Sequence, residues 1–450
     1  MITASIFSGR RYVVLGLARS GLASVETLLA SGAQVTAWDR RREPRRALEG
    51  RATIADPLEI ELTGFDGIVV SPGVPLNTHP IQEKARRAGV PIIGDIELFA
   101  LARPELPAHR VIGITGTNGK STTTALVHHL LQQAGVPSRL GGNIGVPVLG
   151  EEPLPDGGVY VFELSSFQID LTRALACEAA ALINISPDHL DRYDSFADYA
   201  FAKGRLFTMQ GAWQYAVFGC EDAATNAVQQ AEADRRPAGR AICADMASLA
   251  DDQGEWPSLQ GPHNLQNAAI AAALVAEMGL GREQIATGLR SFAGLPHRME
   301  RMGTCDDVLF VNDSKATNPA STAPALAAYP PVEGGGPRIH WIAGGLAKED
   351  NLDECVPFLP HVHTAYTIGE AGGMFARLLT DTVRVEECEL LGEAVRRAVA
   401  AAGAGDVILL SPACASFDQF RDYEARGTAF REIAAELGCE MLADGAGAQS

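Results

Sequence analysis

The chain has 450 residues, is 46% hydrophobic and 20% charged, and carries a formal net charge of −18. That length predicts two to four domains, each with its own core, and the composition is that of an ordinary soluble globular protein. The negative balance argues against broad binding to nucleic acid or to an anionic membrane, so anionic ligands have to be caught by local cations and backbone amides.

In chain order, "RYVVLGLARSGLA" predicts a first strand running into Gly16-x-Ala18-x-x-Gly21 and then a helix. The apolar run is too short to span a membrane and has no cleavage site, so no membrane insertion is expected. About twenty residues on, "QVTAWDR" ends a second strand on Asp39, close to a dinucleotide-binding fingerprint. Ala18 stands where a second glycine normally lets a pyrophosphate approach, which weakens that reading. A further strand, "GIVVSPGVP", ends at Ser71-Pro72-Gly73. Ligands of open α/β sheets sit at the carboxyl ends of strands, so Arg19, Ser20, Asp39, Arg41 and Ser71 are candidates to line one crevice. Alone, this segment says only that a nucleotide-like ligand is bound, and a dinucleotide-dependent oxidoreductase stays open.

Pro-rich "ARPELPA" marks a boundary, and "VIGITGTNGKSTTTALVHHLLQQAG" follows at 111–135. The common phosphate loop, G-x-x-x-x-G-K-[ST], requires glycine at 114, where Ile114 stands. The local physics still favours a nucleotide. "VIGI" predicts a buried strand, and Leu126, Val127, Leu130 and Leu131 give a helix over 120–134 that Gly135 stops. Between them, Gly116, Thr117, Asn118 and Gly119 turn backbone N–H groups toward an anion at the helix start. Lys120 would reach terminal phosphates, Ser121 would suit Mg²⁺, and Thr122 completes the turn. The competing reading is a glycine-rich turn that binds nothing.

Asn143 lies in the glycine-rich "GGNIGVP", and "GVYVFELSSFQID" predicts a strand delivering Glu163 beside the phosphate loop, where a carboxylate suits Mg²⁺. The alternative is a strand-end glutamate in solvent. In "INISPDHLDRYDSFADYAFAKGRLF", Ser195 and Asp198 form a helix-starting pattern. Phe196, Tyr199, Ala200, Leu206 and Phe207 then share one face, and Lys203 belongs to the same stripe. A lysine there is expensive unless it is paired or modified, and snorkelling is the alternative. His189 and two aspartates precede it.

"AGLPHR" marks a second boundary. Beyond it, strands end at "VNDSKATNP", "WIAGGLAKED" and "LLSPACASFDQF", giving a second polar face. "VEGGGP" reads as a surface loop and "GAGAQS" as a frayed tail. Eight cysteines (Cys177, Cys220, Cys243, Cys305, Cys355, Cys388, Cys414, Cys439) show no C-x-x-C pair. They read as reduced thiols of a cytoplasmic protein, with no disulfide or zinc framework.

These motifs together resemble the Mur ligase family over nearly the whole chain. "GTNGKST" is similar to that family's phosphate loop, which accounts for Ile114. "ELSSFQ", "DHLDRY", "AKGRLF", "GPHNLQNAAIA" and "GLPHRME" fit its central domain and exit, while "NDSKATNP" and "SPACASFDQF" resemble its D-glutamate-adding branch. Arg19 and Ser20 occupy a variable loop, and the tail after Gly438 has no counterpart. The resemblance implies an α/β fold of three domains. These are a Rossmann-like UDP-substrate domain at 1–103, a central P-loop ATPase-like domain at 104–295, and a Rossmann-like, amino-acid-binding domain at 296–450.

It also implies ATP-dependent amide synthesis, in which the L-alanine carboxylate of UDP-N-acetylmuramoyl-L-alanine attacks the γ-phosphate and D-glutamate then attacks the acyl phosphate. Carried over residue by residue, Lys120, His189 and Lys203 serve catalysis. Ser121 with Glu163 would hold one Mg²⁺, and His189 with a CO₂-derived carbamate on Lys203 a second. Asn264, Asn267, Arg298 and Asp313 resemble adenosine-contacting positions. Asn143, Ser165, Gln168, Lys315, Thr317, Lys348, Ser416, Phe417 and Tyr423 are further substrate contacts, with Lys348, Thr317, Ser416 and Tyr423 of the third segment at the two carboxylates of D-glutamate. Nothing in the sequence calls for more than a monomer. A sibling ligase that adds diaminopimelate or lysine, or a folylpolyglutamate synthetase, stays open.

Overall fold

The computed structural model describes residues 1–188, 192–332 and 335–441. The chain divides into two compact units: Met1–Asp245 with Ala269–Gly288, and Met246–Ala268 with the residues from Leu289 onward.

The first unit holds two parallel sheets. One contains β1 (Arg11–Leu15), β2 (Gln34–Trp38), β3 (Thr53–Ile54), β4 (Gly67–Val70) and β5 (Ile92–Ile93), in the order β3-β2-β1-β4-β5. Its middle strands are short unbroken apolar runs because helices cover both faces, the usual reason such strands do not alternate. The order reverses between β1 and β4, which opens a crevice at their carboxyl ends.

The second sheet contains β6 (His109–Thr115), β7 (Ser138–Gly142), β8 (Gly158–Glu163), β9 (Ala179–Leu182), β10 (Tyr215–Phe218) and β11 (Ala241–Cys243), ordered β11-β10-β9-β6-β8-β7. β6 lies between β8 and β9, so whatever follows β6 sits at a second point of reversal. A continuous core joins the two sheets. At its centre Phe99 packs edge-on against Tyr160 and Phe162, each at 4.9 Å between ring centroids.

The expectation of reduced thiols throughout fails at one pair. Cys220 and Cys243 are joined in a disulfide, with Cα atoms 5.7 Å apart. β10 and β11 are parallel neighbours whose register sets Phe218 against Cys243, which brings Cys220, two residues past β10, within reach. Strand register made this pair, and a search for C-x-x-C spacing is blind to it. The other six cysteines are free.

The second unit is built on one sheet: β12 (Glu300–Cys305), β13 (Val308–Asn312), β14 (Ile339–Gly344), β15 (Val362–Ile368), β16 (Arg384–Glu389), β17 (Val407–Leu410) and β18 (Glu440–Met441). Their order is β16-β15-β14-β17-β13-β12-β18, parallel from β16 to β13, with β12 and β18 antiparallel at one edge. A core covers each face: Trp341 and Leu409 point into one, Ile342, Ile408 and Leu410 into the other. Among the described residues, no helix is long and apolar enough to cross a membrane.

Candidate active site

The phosphate-loop sequence folds as read. β6 ends at Thr115, and a helix spans Lys120–Gln133. Gly119 caps that helix at φ 84°, a conformation that favours glycine. The first turn of a helix presents amides that its own ladder cannot use, and here no side chain caps them. The loop is fastened to the chain after β9: Thr117 N donates to Asn184 O at 2.9 Å and Asn118 N to Asn184 Oδ1 at 2.9 Å. The Thr117 hydroxyl lies 3.2 Å from Tyr199 Oη.

Two lysines converge on this loop. Lys120 Nζ donates to Gly116 O at 2.9 Å and Thr117 O at 2.7 Å, and Lys203 Nζ donates to the same Gly116 O at 2.7 Å. Lys203 sits in the helix Phe196–Thr208, which Ser195 caps by accepting from Asp198 N. It is buried with Tyr199, Leu206 and Phe207, its ammonium 4.6 Å from the Tyr199 ring centroid. Burial, followed by the nearby charge of Lys120, holds its pKa well below the ordinary lysine value. Snorkelling is thereby excluded. No carboxylate is within ion-pair distance of Lys203 among the described residues; Asp191 and His189 lie outside them.

Glu163 closes β8 opposite Ile114 and is 1% exposed, so it is no solvated strand end. Its Oε1 accepts from Asn143 Nδ2 at 2.9 Å, while Oε2 is buried with no partner among the described residues. An orphaned carboxylate oxygen beside a phosphate loop suits a divalent cation, and Ser121 at the helix start offers a second oxygen. The fit extends to the backbone: Gly142 has φ 87°, and a Cβ there would lie 2.1 Å from Glu163 O. Among the described residues, no trio of His, Cys, Asp or Glu forms a metal site by itself.

A cavity of about 430 Å³ opens at the carboxyl ends of β1 and β4. Arg19, Ser20, Asp39, Ser71, Asn143 and Gln168 line it. Arg41 is not on the wall but pairs with Asp39 at 3.3 Å. Asp39 also accepts from Leu17 N at 2.7 Å, and its pKa lies below the usual value because these hydrogen bonds outweigh burial. Gly21 is required where it stands, since a Cβ would meet Gly16 O at 1.9 Å. Ser165 spends its hydroxyl on a reciprocal cap with Gln168, a Ser-x-x-Gln pattern readable in "ELSSFQ".

The second unit holds the remaining candidates: Asp313, Lys348 and Ser416 follow β13, β14 and β17, whereas Asn264 and Asn267 lie on the helix Pro262–Glu277. Asn267 Nδ2 donates to Asn264 Oδ1 at 3.1 Å, and Asp313 accepts from Met299 N at 3.1 Å and Ser411 Oγ at 2.7 Å. Burial raises the Asp313 pKa to about 7. Arg298 Nε and His263 Nδ1 are both buried without a partner among the described residues. Lys348 Nζ donates to Thr317 Oγ1 at 3.3 Å, and Lys315 Nζ lies 5.4 Å from the Tyr423 ring centroid. Ser416 is buried, whereas Phe417 is 69% exposed.

Sequence reasoning missed three residues here. His263 was passed over inside "GPHNLQNAAIA". Asp95, on the wall of the first cavity, is 6% exposed, and burial raises its pKa to about 6. Arg426 is 1% exposed and binds the carbonyls of Ser314 at 2.8 Å, Cys414 at 3.0 Å and Ala415 at 3.3 Å, clamping two of the polar strand ends together.

Comparison with known proteins bears directly on this arrangement. Residues 10–94 match a family model described as Mur ligase MurD-like, N-terminal domain; residues 114–275 match Mur ligase middle domain, and 297–414 match Mur ligase, glutamate ligase domain. A UDP-N-acetylmuramoylalanine–D-glutamate ligase of Novosphingobium aromaticivorans is 64% identical over 437 residues, 97% of each chain. One of Sphingopyxis alaskensis is 57% identical over 97% of this chain and 100% of its own. Among solved structures, a UDP-N-acetylmuramate-alanine ligase of Thermotoga maritima aligns with TM-score 0.56 at 17% identity, over 95% of this chain and 99% of its own. A MurF ligase of Thermotoga maritima in complex with ADP aligns with TM-score 0.58 at 14% identity, over 96% of both.

Proposed function

The chain belongs to the Mur ligase family, and from that membership we propose how its own residues carry the reaction. It has the three-domain α/β architecture of the family, and it is an ADP-forming ligase that adds D-glutamate to UDP-N-acetylmuramoyl-L-alanine in peptidoglycan precursor synthesis. We assign the domains to 1–103, 104–295 and 296–450. Each of the three sheets lies wholly within one of these ranges, which supports the division.

A free carboxylate is a poor electrophile, so the L-alanine carboxylate is first phosphorylated by ATP, and the D-glutamate amine then displaces phosphate from the acyl phosphate. The protein's part is positioning and charge screening. With ATP bound, the Lys120 ammonium leaves its loop carbonyls for the terminal phosphates, and the amides of the helix start surround them. Ser121 and Glu163 would hold Mg²⁺, which supplies charge neutralisation on the phosphate oxygens. The orphaned Glu163 Oε2 beside the Gly-Lys-Ser turn is the observation that carries this reading.

Asn264, Asn267, Arg298 and Asp313 are assigned to the adenosine. The crevice with Arg19, Ser20, Asp39, Arg41 and Ser71 takes the UDP moiety, and Asn143, Ser165 and Gln168 continue along it. Lys315, Thr317, Lys348, Ser416, Phe417 and Tyr423 hold D-glutamate, a dianion that needs local cations in a chain of net charge −18. His189, with a carbamate on Lys203, is assigned to a second Mg²⁺. The carbamate forms when the neutral amine attacks CO₂, making an N–C bond and releasing one proton. Burial favours that amine. We assign the enzyme to the cytoplasm, where ATP and UDP-sugars are found, as a monomer.

ADP release, measured with ATP, UDP-N-acetylmuramoyl-L-alanine and a panel of amino acids, tests the assignment. D-Glutamate should stand alone as acceptor. Turnover with diaminopimelate, lysine or L-glutamate in its place would redirect it to a sibling ligase.

A further inference from the structure

The first unit contains a second cavity, of about 510 Å³, of whose lining the roles above use only Ser71. That volume is in the range of small-molecule sites. Leu76, Val90 and Ile92 form one side, and Phe167, Leu171 and Tyr193 the other. Three arginines, Arg86, Arg173 and Arg192, and one aspartate, Asp170, are also among its lining residues.

The charges do not cancel. Asp170 is already occupied, accepting from Tyr193 Oη at 2.9 Å and from Arg205 Nη1 at 3.0 Å. Arg86 is paired with Glu83 at 2.8 Å. Arg192 lies flat over Phe167, 4.3 Å from the ring centroid, and has no carboxylate partner among the described residues. Arg173 is anchored by its backbone, whose N–H donates to the buried Glu97 at 2.7 Å, while its guanidinium has no partner among the described residues. Two cations with no carboxylate partner among the described residues, in a chain of net charge −18, make a local anion site. The surrounding apolar wall selects an anion carried on an apolar body.

The cavity also touches the nucleotide crevice. Ser71, Pro72 and Val74 line both. Ser71 Oγ donates to Gly16 O at 2.7 Å, and Val74 N closes the turn on Ser71 O at 3.0 Å. Anything that shifts the 71–74 turn therefore shifts the floor on which a nucleotide lies.

We propose that the second cavity is an effector site for a small organic anion, a phosphate monoester or carboxylate on an aromatic or short apolar body, felt in the UDP crevice through the 71–74 turn. The coupling half rests on the assignment of that crevice to UDP. Isothermal titration of the full chain with phenyl phosphate, with inorganic phosphate, and with UDP tests both halves. Phenyl phosphate should saturate, should bind more tightly than inorganic phosphate, and should bind in the presence of UDP while changing its affinity. Arg173→Ala should weaken phenyl phosphate about tenfold, roughly one charge-assisted hydrogen bond, and Arg173→Lys should restore part of it. Arg173 is exposed, so an unchanged melting temperature is expected in both variants. Displacement of phenyl phosphate by UDP, equal binding of inorganic phosphate, or insensitivity to Arg173→Ala overturns the site. Failure of UDP itself to bind overturns the crevice assignment and leaves the phenyl phosphate result to stand by itself.

Discussion

Lys120 and Lys203 share an acceptor: both ammonium groups donate to the carbonyl oxygen of Gly116, at 2.9 and 2.7 Å. Two cations on one oxygen is a poor arrangement, and after burial the Lys120 charge is what most lowers the pKa of Lys203. It resolves if Lys120 moves to phosphate and Lys203 gives up its charge. Lys120→Ala should therefore abolish turnover while leaving the melting temperature nearly unchanged. An activity loss smaller than about tenfold, roughly 1.4 kcal/mol of transition-state stabilisation, would remove Lys120 from the mechanism.

Lys203 is expected to be carbamylated in the working enzyme. Its amine is buried, has its pKa well below the ordinary value, and has no carboxylate within ion-pair distance among the described residues. ¹³C-bicarbonate should give a carbamate carbonyl resonance that disappears in Lys203→Ala, together with activity. An unmodified Lys203 in a fully active, substrate-bound crystal would sink the idea.

Asp95 should make stability fall as pH rises. Burial raises its folded pKa to about 6 from 3.8. Below pH 3.8 both states hold the proton; between 3.8 and about 6 only the folded state does, so each rising pH unit costs folding about 1.4 kcal/mol. Above that window the loss is complete, about 3 kcal/mol. The difference in denaturant stability between the wild type and Asp95→Asn should open across this window, with the variant the more stable at neutral pH. A difference that is flat with pH would mean the carboxyl is solvated.

Lys348→Ala should raise the KM for D-glutamate far more than that for ATP, because its ammonium is placed at Thr317 with the polar strand ends. Initial-rate kinetics with each substrate varied in turn separate the two. Equal effects on both would assign Lys348 to folding or closure.

Arg426→Met should destabilise the second unit by about 2–4 kcal/mol, since three buried carbonyls lose a charged donor at once. Urea denaturation checks the magnitude. Arg426→Lys, with its single point charge, should recover only part of the loss.

What could be read from the sequence divides along physical lines. The phosphate loop, Glu163 and Lys203 were legible because each sits at a fixed place in a periodic pattern: after a strand, at a strand's end, or on a helix stripe. Asp95 was not, since an aspartate after Gly94 at a helix start looks like an ordinary solvated acid until tertiary packing covers it. Arg426 sits in "DYEARGTAF", where an arginine on a mixed helix face reads as surface. The Cys220–Cys243 pair depended on strand register, which sequence spacing does not encode. The Ser165–Gln168 cap was legible and was overlooked, because the same string was read as a family motif.

Gly142 has no side chain to bind or transfer anything, yet it leaves room for the backbone of Glu163 to pass within 2.1 Å of where its Cβ would be. Loss of that hydrogen atom's worth of space would misplace the carboxylate proposed to hold Mg²⁺ as surely as replacing the glutamate. Genetic screens for loss of function would then return Gly142 beside Glu163. Drug-escape selection would be barred from both positions, so an inhibitor resting on this strand edge would press against backbone that the bacterium has no substitution to change.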